Sequence, residues 1–68
     1  MPKTVKEIID SMDNYLRTRL YSVVGYMLEF GCLNFTEWDE LLKTCTKEQI
    51  TVCRCLVEEA RAAYDEYH

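Results

Sequence analysis

Glycine and proline are almost missing from this chain: Gly25, Gly31 and Pro2 are all it has. Two isolated glycines do not make a phosphate-cradling loop, which sets several of them close together ahead of a helix. With no proline after Pro2, nothing in the body of the chain interrupts long helices. Histidine occurs once, as His68 at the fraying end, with no cysteine or carboxylate at triad spacing. No apolar run approaches the ~20 residues of a membrane-spanning helix. The opening Met-Pro-Lys-Thr-Val-Lys-Glu lacks the apolar core of a signal peptide. These absences set the expectations of a non-enzymatic chain without cofactor, away from the membrane, in the reducing cytoplasm.

The four cysteines do not change that expectation. Cys32, Cys45, Cys53 and Cys55 match no zinc-ligand spacing, and Cys53 and Cys55, two apart on a helix, point to nearly opposite sides. They read as small hydrophobes in a reducing compartment, ahead of a disulfide of Cys32 or Cys45 with a neighbour, with a metal site last. Cys55 lies off the apolar stripe and is the expected exposed thiol.

What is present is helical periodicity. Val5, Ile8, Ile9, Met12, Leu16, Leu20, Val23, Met27 and Phe30 recur at gaps of three and four. The pattern predicts one long helix over residues 4–30. Thr4 and Glu7 form its capping box, and Gly31 ends it in a left-handed turn. Thr36, with Asp39, predicts a second helix over 36–44, its face made by Trp38, Leu41, Leu42 and Cys45. Thr46, with Gln49, predicts a third over 47–67, with a stripe of Ile50, Cys53, Leu56, Val57, Ala60, Ala63, Tyr64 and Tyr67. Arg54, Glu58, Arg61 and Asp65 make its solvated side. The expectation is a single all-α domain of three helices. The long first helix would lie antiparallel to the third, the short second one between them, bringing Tyr64 and Tyr67 to the start of the first. Arg19 would meet a carboxylate, with Glu66 the candidate.

Charge and size point to protein binding. The 68 residues carry a net charge of −4. Residues 1–28 hold four bases against three acids, and residues 29–68 four bases against nine acids. That balance disfavours direct nucleic-acid binding, where cations must neutralise phosphates, and suits a basic protein surface. A chain this short buries only ~60% of its unfolded surface, so a partner or a second copy would steady it.

The first helix also carries Tyr21, Val24 and Leu28 opposite its main stripe. If nothing covers them they form an apolar interface, steered by Glu29, Glu37, Asp39 and Glu40. The leading expectation is a self-associating interaction module that inhibits or scaffolds a larger protein. Small acidic helical domains of this kind are common among adaptors and among inhibitors encoded by phages and mobile elements. The alternative is an acidic nucleic-acid mimic that blocks a cationic channel. A helix-turn-helix regulator made from the second and third helices comes third, because its basic surround is missing.

Overall fold

The computed structural model describes residues 3–68, which form four helices: α1 (Val5–Ser11), α2 (Asn14–Phe30), α3 (Phe35–Thr44) and α4 (Lys47–Tyr67). The all-helical class holds, and the count is one higher than the periodicity suggested.

The extra helix comes from a break in the predicted 4–30 element. Met12 is extended (φ −76°, ψ 146°), and Asp13 behind it caps α2 by accepting the Leu16 amide at 2.8 Å. Apolar spacing runs straight through the break, since Met12 and Leu16 are both buried. Periodicity alone therefore misses it; the local signal was an aspartate able to bind the backbone three residues on. The break has a packing consequence. An unbroken helix over 4–30 would run ~40 Å, whereas the longest dimension of the molecule is 37 Å. Divided at Met12, the chain lays α1 on α4 as well, and Lys3 reaches Glu48 at 3.9 Å.

The caps decide the remaining boundaries. Thr4 accepts the Glu7 amide at 3.1 Å, but its hydroxyl donates to the Glu7 carboxylate rather than leaving that carboxylate to its own amide. Asn34, not Thr36, caps α3 by accepting the Glu37 amide, so α3 begins one residue earlier than predicted. Thr46 and Gln49 make both bonds of the expected capping box. Gly31 ends α2 with φ 73° and ψ 15°.

The core joins Met12, Leu16, Leu20, Val23 and Met27 to Leu41 of α3 and to Cys53, Val57 and Ala60 of α4. Trp38, Leu33, Leu56, Cys45 and Val24 pack around it, half-buried. The helix directions differ from expectation. Arg61 and Tyr64, late in α4, meet Gly31 at the end of α2, and the body of α4 packs along α2. The two long helices therefore run in the same sense, and Tyr64 sits at the far end of α2, not at the chain start. The cause lies in the returning segment. The first turn of α3 touches the middle of α2 (Glu37 on Ser22), while Cys45 behind it packs against the core that Cys53 of α4 joins. The connector after Gly31 and α3 together carry the chain back, so α4 can climb beside α2 again.

Candidate interaction surface on helix α2

With Leu16, Leu20, Val23 and Met27 turned inward, the opposite side of α2 faces out. Successive residues turn by about 100°, which orders that side. Tyr21 and Leu28 stand on one edge, 58% and 47% exposed. Gly25 and Thr18 lie along the middle. Ser22 and Glu29 form the other edge.

Of the seven residues predicted to bind a partner, the structure gathers four around this face. Tyr21 and Leu28 are its apolar edge, and Glu29 is exposed on its acidic edge. Glu37 reaches it from α3, accepting the Ser22 hydroxyl at 3.2 Å. Val24 departs from expectation: it turns toward the core and is half-covered. Glu40 is exposed about 60° round α3 from Glu37, and Asp39 about 200° round, so Asp39 falls on the other side of α3.

Three features of the face lay outside the sequence-derived set. The first is Gly25. A β-carbon built there meets nothing within 4 Å, and the backbone is ordinary helix. No turn, close contact or positive φ within this chain calls for glycine, yet it costs ~1 kcal/mol relative to alanine inside a helix. The second is Arg19. Its guanidinium bonds the Tyr15 hydroxyl at 2.6 Å and lies over the Tyr15 ring, 5.1 Å from the centroid, instead of meeting Glu66. The i,i+4 spacing of Tyr15 and Arg19 was the available signal. The third is a shallow cleft of about 250 Å³ lined by Tyr15, Thr18, Arg19, Ser22 and Glu37. Among the described residues neither Arg19 nor Glu37 is in an ion pair.

Other apolar surface lies nearby. Tyr26 and Phe30 pack ring against ring in a tilted pair, centroids 4.6 Å apart, leaving Phe30 exposed, and Phe35 is more open still. Phe30 ends the predicted stripe but hangs beyond the core that the stripe builds.

The cysteines divide into two kinds. Cys32 and Cys55 are exposed, Cys45 is half-buried and Cys53 has no exposed surface; all four are free. Burial raises the Cys45 thiol above its ordinary value. Burial also pushes Cys53 up, and with the neighbouring Cys45 takes it to about 12. Among the described residues no cluster of three or more His, Cys, Asp or Glu could hold a metal, and no helix is long and apolar enough to cross a membrane. Compared with family models, with curated proteins and with solved structures, the chain matches none.

Proposed function

We propose that this chain is a protein-binding module. The outward face of α2 docks an apolar ridge of a larger protein, and lysines or arginines framing that ridge meet Glu29, Glu37 and Glu40. Binding modulates the partner by occlusion or scaffolding, with no chemistry of its own. The observation that carries the reading is the pair of exposed side chains, Tyr21 and Leu28, flanking an open Gly25. Apolar side chains beside a position without a side chain let another backbone come close. The acids on the far edge, within a chain of net charge −4, favour a basic rim on the partner and repel an acidic one.

A second reading treats the acids as a nucleic-acid mimic, using Glu58, Glu59, Asp65 and Glu66 of α4 with the acids of α3. It has less support, because Arg61 holds Asp65 at 3.2 Å and bases interrupt the run.

The test is affinity capture from the source cell with the native chain, Leu28→Ser and Gly25→Gln in parallel, followed by titration of the recovered partner. The module reading expects a partner that both variants lose and that tolerates salt moderately. A partner kept by both variants but lost steeply as salt rises supports the mimic and sinks the apolar face. Light scattering covers the remaining occupant. A dimer that Gly25→Gln dissociates would assign the face to a second copy, against the partner proposed.

A further inference from the structure

Helix α1 exists by docking. It has seven residues, too few to persist alone in water. It packs chiefly on α4: Lys3 ahead of it lies 3.9 Å from Glu48, and Ile8 and Val52 are buried outside the main core. The bend that sends it there rests on little. Met12 and Asp13 alone separate α1 from α2, both at negative φ, and no glycine or proline stands between residues 3 and 24. Nothing in those residue types forbids a continuous helix, and the apolar spacing continues, with Ile8, Met12, Leu16 and Leu20 in line at steps of four. The Asn14 and Tyr15 amides begin α2 without an intrahelical partner, and an unbroken helix would give them the Asp10 and Ser11 carbonyls. Two things favour the bend: the Asp13 cap on the Leu16 amide, and the docking of α1 on α4. A second molecule can supply the docking.

We propose that the first turns of α4 also accept α1 from a second copy of this chain. Residues 4–30 then form one straight helix in each copy, and each α1 docks on α4 of the other, giving a swapped dimer with two-fold symmetry. A straight helix of ~40 Å outruns the 37 Å length of the molecule and carries α1 off its own body. The contacts that hold α1 on α4, Lys3 on Glu48 among them, are remade between chains. Each chain loses the Asp13 cap and gains the helical bonds across the former break. What remains is the cost of bringing two copies together, so concentration selects the form. The exchange does not depend on the outer face of α2.

The experiment refolds the full chain from urea at low and at high protein concentration, then measures mass by size exclusion with light scattering. The native chain should be monomeric when dilute and give a dimer fraction when refolded concentrated. Light and isotopically heavy chains, refolded together and treated with a zero-length carbodiimide, should have Lys3 joined to Glu48 in both forms. The joined peptides should mix light with heavy in the dimer and never in the monomer. Asp13→Ala should raise the dimerisation constant about twenty-five-fold, two caps at roughly fivefold each. Asn14→Pro should stay folded and monomeric at every concentration. Proline suits the first position of α2 and the extended Asp13 before it, but in a continuous helix its ring would strike the Asp10 carbonyl. Gly25→Gln, which would break a dimer made through the outer face of α2, should leave this dimer intact. The inference is overturned if neither the native nor the Asp13→Ala chain dimerises, or if the dimer's Lys3–Glu48 peptides are all unmixed. It is overturned equally if Asn14→Pro dimerises as the native chain does, or if Gly25→Gln dissociates the dimer.

Discussion

The two glycines of this chain sit six residues apart on one helix and do opposite things. Gly31 is sealed. It is buried and left-handed, its carbonyl accepts the Arg61 guanidinium at 2.6 Å, and Tyr64 ring atoms lie 2.7 Å from where a β-carbon would stand. Gly25 is open, with ordinary helical backbone and empty space above it. The fold needs the first glycine and would be steadier without the second. A helix-weakening residue that the fold does not use, set between two exposed apolar side chains, is where intramolecular packing stops explaining the sequence.

Gly31→Ala should have the largest effect. The left-handed backbone costs an alanine roughly 1–2 kcal/mol, and displacing the Tyr64 ring adds about 1–3 kcal/mol of overpacking. A domain of this length has only ~3–10 kcal/mol of stability to lose. Chemical denaturation should show a loss of about 2–5 kcal/mol, with the released end of α2 fraying first in hydrogen exchange. A loss under ~1 kcal/mol would mean that the Tyr64 ring swings away freely and that this end is not sealed.

That contrast also explains what could be read from the sequence. Gly31 as a helix stop was legible, because a glycine after a periodic stripe has a local meaning. The inward stripe from Met12 to Met27 was legible too, and so were the Thr46 capping box and the helical class. The break at Met12 was not, because both flanking apolar residues stay buried and the spacing carries no trace of it. The sense of α4 was not legible either, since it depends on where α3 lands on α2. Of the binding residues, Tyr21 and Leu28 emerged from their place opposite the stripe, whereas Val24, at the same helical spacing, turns toward the core and is half-covered. Gly25 passes unnoticed in a sequence, because only the structure shows that nothing occupies the space above it.

The next effect tests the seal from its other side. Arg61 ties α4 to the end of α2 through the Gly31 carbonyl and is itself held by Asp65. Arg61→Gln should cost about 1 kcal/mol, less than a buried bond to a charged group because the side chain is largely exposed. The loss should shrink in a Gly31→Ala background, since the two changes damage one contact. Strict additivity in that double-mutant cycle would separate the arginine from the glycine.

Asp13→Ala probes the opposite end of α2. Removing the cap that accepts the Leu16 amide should cost about 1 kcal/mol, with exchange rising in the first turn of α2 and around Met12. Unlike the Arg61 change, it should add to Gly31→Ala, because a helix length separates the two sites. If Asp13→Ala instead leaves stability unchanged, α1 and α2 are held at their junction by the burial of Ile8 and Met12 and not by the cap.

Gly25→Ala gives the smallest change in stability and the one that bears most on function. A methyl group there meets no atom of this chain, and alanine is the better helix former, so the variant should gain about 0.5–1 kcal/mol and melt a few degrees higher. The same methyl group stands on the face between Tyr21 and Leu28, where the partner backbone is proposed to lie. Partner affinity should therefore fall as stability rises, with Gly25→Gln losing about tenfold or more, some 1.4 kcal/mol. Opposite signs in the two measurements would set Gly25 apart from a glycine tolerated by drift, which would gain stability and keep its binding. A stabilised Gly25→Ala chain that binds as tightly as the native one would remove the open glycine from the argument and leave Tyr21 and Leu28 to carry the face alone.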